Sequence, residues 1–406
     1  VRDAMIVAAA RTPIGRMTKG SLARERPDDL VAQVIQHVLR AVPQLAPSDV
    51  DDLLLGCGSP GGEQGFNMAR VVAVLLGLDE VPGCTVTRYC ASSVQTTRMA
   101  MHAIRAGEGD VFLSAGVESC SSYAKGEADS LPGTMNPLFD EARERSAAAA
   151  EATPEGWEDP RAHGLFPDVY IDMGQTAENV AALHDVTRAD MDAYALLSQQ
   201  RTAAAVDSGF WARDLVPYRR ADGTVVNRDD CPRPDTTLDA LAGLRPVFRP
   251  GGRSTAGNSC PLNDGAAALL VMSDSKARDL GVTPLARIVA TAVSALSPEI
   301  MGLGPVEATH RVLETAGMSL GDIDLFELNE AFAAQVLPCQ DQLGIPIDRL
   351  NVHGGAIAIG HPFGATGART SSTVINALSS RDKEIGLQTM CVGGGQGMAM
   401  ILERLS

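Results

Sequence analysis

Three side chains far apart in the chain, Cys90, His361 and Cys391, have the types and local settings needed for covalent catalysis through sulfur. Cys90 sits in Val86-Thr87-Arg88-Tyr89-Cys90-Ala91-Ser92-Ser93-Val94, where an apolar run read as a buried strand turns into a helix with Val94, Met101 and Ile104 at helical spacing. A thiol at a helix N-terminus meets unsatisfied N–H groups and the positive end of the helix dipole, and both favour thiolate. A buried cysteine that fills a tight turn is the competing account. His361 precedes Pro362, which suits a first helical position, and Gly360 and Gly364 let backbone or ligand approach closely. A histidine within reach of a thiol is the base that such a nucleophile requires, although most lone histidines are structural.

Cys391 begins Cys391-Val392-Gly393-Gly394-Gly395-Gln396-Gly397, which offers the glycines of a phosphate loop. Met398-Ala399-Met400-Ile401-Leu402 then reads as an apolar strand, and a nucleotide site needs a helix there. What remains is a tight turn between two strands, whose open amide at Gly393 can hold an oxyanion. Asn329-Glu330-Ala331-Phe332 follows the apolar run Leu325 to Leu328. Polar residues at the C-terminal end of a buried strand often face a site, with a helix cap by Asn329 as the competing account.

The elements that must carry these residues form an internal echo. Leu30 to Val42 is amphipathic and leads to Leu53-Leu54-Leu55-Gly56; Glu307 to Gly317 leads likewise to Leu325-Phe326-Glu327-Leu328. The first copy continues through a strand at Thr85-Val86-Thr87 into a helix from Ala91 to Ala106, the second through Leu350-Asn351-Val352 into one from Pro362 to Leu378. Each ends in an apolar strand and a turn of small residues, Val111 to Gly116 and Leu387 to Gly393. Repetition in the same order at a shift of about 270 positions predicts two similar α/β halves whose matching turns meet near a pseudo-twofold axis. Cys90 occupies the strand-to-helix turn of one half, and His361 that of the other.

Between the halves the texture changes. Ala147 to Glu155 is low in complexity and reads as a surface loop, and Cys231-Pro232-Arg233-Pro234-Asp235 as extended turn structure. Helix is expected at 174 to 183 and again after Thr187, which forms a capping box with Asp190. Arg219, Arg220, Arg228, Arg233, Arg245 and Arg249, with Arg253 just beyond, could meet phosphates or could be solvated beside Asp229, Asp230 and Asp235.

Composition narrows the class. The 406 residues are 45% hydrophobic and 21% charged, with a formal net charge of -16, which argues against nucleic acid or an anionic membrane surface as partner. No apolar run reaches the roughly 18 to 20 residues of a membrane span, and Ala4 to Ala8 is too short for a signal-peptide core, so a soluble, cytoplasmic protein is expected. Eight cysteines, without CxxC pairs or metal-ligand spacing, read as reduced thiols, and no metal is expected.

Taken together, these segments resemble the thiolase family. The cysteine turn at 90, Asn329-Glu330-Ala331-Phe332, Gly360-His361-Pro362 and Cys391-Val392-Gly393 occur in the family's order and spacing. So do Arg11-Thr12-Pro13, Gly174-Gln175-Thr176-Ala177-Glu178-Asn179, Thr255-Ala256-Gly257-Asn258 and Asn263-Asp264-Gly265-Ala266. The resemblance implies an α/β thiolase fold, with two similar βαβαβαββ halves in five layers, α-β-α-β-α, and an inserted loop domain. The implied division is 1–120 plus 251–283, a loop domain over 121–250 that covers the site and binds CoA, and 284–406. It also implies a homodimer or homotetramer, with acyl-CoA and CoA as substrates and no tightly bound cofactor.

Roles follow residue by residue from the resemblance. Cys90 would accept the acyl group and His361 its proton, while Cys391 would exchange a proton with the acetyl-CoA carbanion. Amides of Cys90 and Gly393 would hold the thioester oxygen, and His361 with a water fixed by Asn329 the carbonyl oxygen of the CoA thioester. Arg233, Ala256, Cys260, Met301 and Phe332 are assigned to substrate or CoA, with Tyr89, Met301 and Phe363 shaping the acyl pocket. Ala91 and His353 depart from the usual Gly and Asn, and Cys260 stands where a serine usually contacts the pantetheine arm, a weaker hydrogen-bond partner. Thiolytic cleavage of 3-ketoacyl-CoA in β-oxidation is the expected role. The alternatives are short-chain biosynthesis, a ketoacyl synthase, which usually pairs its cysteine with two histidines or His and Asn, and a non-catalytic lipid or CoA carrier.

Overall fold

The computed structural model describes residues 2–125, 133–152 and 156–406. In chain order the first half runs β1 (Ala4–Arg11), the short β2 (Gly15–Arg16), α1 (Pro27–Arg40), β3 (Asp52–Cys57), α2 (Met68–Leu75), β4 (Gly83–Val86), α3 (Ser92–Ala106) and β5 (Val111–Ser119). The insert carries α4 (Asp140–Ala150), α5 (Met173–Leu183), α6 (Arg188–Asp207), the hairpin β6 (Tyr218–Arg219) and β7 (Val225–Val226), and α7 (Leu238–Ala242). Then come β8 (Asn263–Ser273), α8 (Asp274–Asp279), β9 (Ala286–Ala295), α9 (Gly304–Ala316), β10 (Leu325–Leu328), α10 (Ala333–Leu343), α11 (Ala356–Ile359), α12 (Phe363–Arg381), β11 (Ile385–Val392) and β12 (Gln396–Arg404).

The strand order repeats the echo in the sequence. One half-sheet runs β4-β3-β5-β8-β1 and the other β10-β11-β12-β9, and they join where Met5 and Ile6 of β1 pair with Arg287 and Ala286 of β9. Parallel pairings join β3 to both β4 and β5 in the first half and β10 to β11 in the second, and the rest of the ladder is antiparallel. The second copy departs at Leu350-Asn351-Val352. No strand forms there; Leu350 makes a single parallel bridge to Phe326. Asn351 adopts a left-handed backbone, φ 45°, and its side chain bonds both the N–H and the C=O of Leu328, which turns the chain out of the ladder. Its counterpart β4 is a half-exposed edge strand rather than the buried strand expected, because only β3 pairs with it.

Alternation along the strands explains the layering. Leu53 and Leu55 pack with α1 and α2 on one face of the first half-sheet, while Leu54 faces a second cluster around α3 and α12. That second cluster reaches Met400 and Leu402 of the other half-sheet, so α3 and α12 lie sandwiched between two sheets. A third cluster packs Val312 of α9 and Val336 of α10 against Leu328, Leu387 and Ile401. The five layers α-β-α-β-α are these.

In the insert, the Thr187–Asp190 capping box opens α6 as expected. Ala147 to Ala150 complete the helix α4 instead of forming a loop, since alanine has the strongest helix propensity; 153–155 lie outside the described residues. Among the described residues no helix is long and apolar enough to cross a membrane.

Candidate active site

Close approach of α12 to the first half-sheet sets the site. A Cβ at Gly364 would lie 2.2 Å from the carbonyl of Val117, and one at Gly367 2.4 Å from the amide of Val94, so only glycine lets the two middle helices come this near. Their N-terminal turns, which carry Cys90 and His361, are thereby brought together.

Cys90 lies in a 3₁₀ turn, Tyr89–Ala91, just ahead of α3. Tyr89 is left-handed, φ 43°, and the turn is held by Ser92, whose hydroxyl donates to the carbonyl of Tyr89 at 2.6 Å and accepts the amide of Arg88 at 2.9 Å. Burial and the nearby Glu118 carboxylate push the Cys90 thiol up to about 12, against the amides of Gly393 and of Cys90 itself, which pull it down. The expectation of a resting thiolate is thus overturned: desolvation outweighs the turn's N–H groups. Glu118 is buried and accepts the amides of Gly58 at 2.7 Å, Ser59 at 3.2 Å and Gly364 at 2.8 Å, so one carboxylate ties the β3 turn to the start of α12.

His361 is buried, and Pro362 is the residue before the first helical position rather than that position itself. The Thr366 hydroxyl lies 2.7 Å from His361 Nδ1 and donates to the carbonyl of Pro362 at 2.8 Å. With its one proton spent, Thr366 accepts from Nδ1–H, which leaves the lone pair of His361 on Nε2. Asn329 Nδ2 stands 3.2 Å from that Nε2. Arg369 donates to Asn329 Oδ1 at 3.4 Å and to Glu327 at 3.2 Å, which fixes the amide with its NH₂ toward the imidazole. Asn329 is therefore no helix cap; α10 begins after Phe332. Burial and the Arg369 charge hold His361 down at about 3, so it is a neutral acceptor at any ordinary pH.

Cys391 is the last residue but one of β11, fully buried, opposite Gly397 of β12. Burial first, then the charges of neighbouring Cys90, Cys339 and Cys260, raises its thiol well above the ordinary cysteine range. Gly393-Gly394-Gly395 closes the tight turn read from the sequence, with φ 75° at Gly394 and 77° at Gly395. Cys90, Gly393, Cys391 and Cys260 thus share one neighbourhood, and Asn329 and His361 share another. Phe363 joins them: it lines the cleft at Cys90, and its ring packs edge-on against His361 at 5.0 Å.

The cleft, of about 210 Å³, is walled by Tyr89, Cys90, Phe363, Gly393 and Gly394 on one side and by Met135, Val169, Tyr170, Ile171 and Met173 on the other. The second wall comes wholly from the insert and carries no sequence signal, being apolar residues that, apart from Met173 at the start of α5, lie in irregular structure. Met301 lies in the third core cluster and is not on this wall. Phe332 packs on Phe248 at 6.0 Å, Cys260 is half-buried with its amide on the carbonyl of Ala331, and Ala256 is exposed. The arginines do not form one cluster. Arg220 pairs with Glu25, Arg249 is buried, Arg253 is bound to the carbonyls of Ala181 and Val186, and Arg233 is exposed. Thr366, Arg369 and Glu118 were missed; only Thr366, in the turn that follows His361, had a sequence signal.

Residues 4–275 match the family model described as thiolase, N-terminal domain, and residues 282–404 that of the thiolase C-terminal domain. The chain is 44% identical over 416 residues to the 3-oxoadipyl-CoA/3-oxo-5,6-dehydrosuberyl-CoA thiolase of Escherichia coli K12, covering 100% of both. It is 40% identical to a 3-ketoacyl-CoA thiolase of Bacillus subtilis, covering 99% of this chain and 100% of that one. The crystal structure of human mitochondrial 3-ketoacyl-CoA thiolase in complex with CoA superposes with a TM-score of 0.85 at 34% identity, covering 100% of this chain and 98% of the other.

Proposed function

Because this chain belongs to the thiolase family, matched through both halves, we propose that it cleaves 3-ketoacyl-CoA with CoA through an acyl group carried on Cys90. The observation that carries this reading is the pair of neighbourhoods bridged by Phe363: a thiol under the Gly393 amide, and a neutral His361 whose free Nε2 faces Asn329. In cleavage the Cys90 sulfur attacks the 3-keto carbon as its proton passes to His361. The C2–C3 bond then breaks, its electron pair leaves on C2 as the enolate of acetyl-CoA, and Cys391 returns a proton to that carbon. His361 passes the proton it took to the Cys391 thiolate; the acyl group remains as a thioester on Cys90 until the CoA thiol, deprotonated by His361, displaces it and that proton returns to the released Cys90 sulfur. Splitting the reaction in this way replaces one hard step with two easier ones, and the Gly393 amide and the Asn329–His361 pair meet charge where it develops. Condensation is the same path reversed and is uphill, so the degradative direction is the one we assign.

The enzyme assay is loss of 3-ketoacyl-CoA that depends on added CoA, across an acyl-length series; no turnover at any length would refute the reading. Since His361 stays neutral down to about 3 and Cys90 protonated up to about 12, proton transfer between them is internal. Single-turnover acylation should then be level from about pH 5 to 9, and an inflection near the free-imidazole value of about 6.5 would show that His361 is not desolvated. Thr366→Val removes the acceptor for Nδ1–H, and kcat should fall about 10-fold with KM unchanged, Thr366→Ser restoring it.

CoA contacts are assigned to Arg233, Ala256, Cys260 and Phe332 on the family pattern, and the exposure of Arg233 suits a phosphate contact. We place the enzyme in the cytoplasm as a homodimer or homotetramer. Phe66, Val71, Val74 and Leu75 are exposed apolar residues on and beside α2, next to the edge strand β4, and a second copy covering them would remove both liabilities. The similar relatives include enzymes named for chains ending in a carboxylate and others named only for 3-ketoacyl-CoA, so their names do not choose the acyl group.

A further inference from the structure

Ile171 lines the cleft at Cys90 and also a second cavity of about 310 Å³, whose wall includes Arg145, Trp157, Asn179, Arg249 and Glu299. Arg249 is 7% exposed. Its Nε donates to Gln175 Oε1, and its Nη2 to the carbonyl of Gln175 at 3.2 Å and to Asn179 Oδ1 at 2.7 Å. All of these partners are neutral, and Nη1 makes no hydrogen bond among the described residues. A buried guanidinium without a contacting carboxylate is costly unless a counter-charge arrives.

Among the described residues, the carboxylates nearby are committed elsewhere. Glu299 accepts Arg145 at 2.9 Å, the amide of Asp168 at 2.9 Å and Trp157 Nε1 at 2.9 Å. Glu178 reaches Arg249 only through space, with its oxygens on the amides of Arg253 and Ser254, and Glu158 is turned to solvent. Arg145 and Glu299 cancel each other on the cavity wall, so Arg249 is the cation left to recognise a ligand. Gln175 and Asn179, both on α5, take the Nε and Nη2 protons and hold the guanidinium in place before any ligand enters, which leaves both Nη1 protons for a carboxylate.

We infer that Arg249 is the specificity-determining residue at the far end of the acyl site, where it binds the terminal carboxylate of a dicarboxylic 3-ketoacyl chain that passes Ile171. The inference rests on the thiolase reading above. It is tested with substrates matched in carbon number, 3-oxoadipyl-CoA against 3-oxohexanoyl-CoA and 3-oxosuberyl-CoA against 3-oxooctanoyl-CoA. The native enzyme should favour the carboxylated member by about 30-fold or more in kcat/KM at one of the two lengths. Arg249→Gln should cut that ratio about 100-fold, and Arg249→Lys, which keeps the charge but not the planar group that Gln175 and Asn179 orient, should retain part of it. A native enzyme without preference at either length overturns the inference with no variant needed, and so does a ratio unchanged in Arg249→Gln. Failure of the native enzyme to cleave any of the four would instead sink the thiolase reading itself.

Discussion

Replacing Cys90 with alanine is expected to abolish formation of the acyl-enzyme and to lower thiolysis by about 10⁴-fold or more, since no neighbouring group can take over a covalent role. Cys391, Cys260 and Cys339 are the nearby thiols, but Cys391 and Cys339 are fully buried, and the amide of Gly393 is directed at Cys90. The check is intact-mass measurement after incubation with acetyl-CoA: native protein should gain one acetyl group and Cys90→Ala none. An acetyl group still carried by the variant at the native rate would remove Cys90 from the mechanism. The fold should tolerate the change, because Cys90 is only partly buried and its turn is held by Ser92.

Cys391→Ala should separate the two halves of the chemistry. Acylation of Cys90 needs only Cys90, His361 and the Gly393 amide, so the variant should still take up an acetyl group. Exchange of the methyl protons of acetyl-CoA with deuterated solvent should fall about 10³-fold, within the usual contribution of a positioned general acid or base. Burial and the neighbouring thiols keep Cys391 protonated at rest, the form that returns a proton to a carbanion during cleavage. Exchange at the native rate in this variant would exclude Cys391 from the role.

Much of this site was legible because its residues belong to local patterns. The turn at Cys90, the glycines around His361 and the glycine turn after Cys391 each follow from the need to pass a chain closely by a neighbouring group, and the two-copy echo set the first two at matching turns of the two halves. Other readings failed where local pattern and surroundings part. The helix N-terminus at Cys90 argued for thiolate, yet desolvation and Glu118, 28 positions away in sequence, keep the thiol protonated. Leu350 to Val352 has the composition of a strand, but Asn351 is claimed by Leu328, Glu330 and Tyr194 and turns away.

Sequence by itself determined the family, the doubled α/β order and the three side chains to which we assign the chemistry, because strand alternation, helix caps and glycine turns are written in neighbouring residues. Tertiary structure alone decided which nitrogen of His361 carries the lone pair, how Asn329 is oriented, and that burial keeps Cys90 and Cys391 protonated. Those depend on dielectric and on partners such as Thr366 and Arg369. Electrostatics and hydrogen bonding act through space, and a chain read in order holds no measure of distance between residues that folding alone makes neighbours.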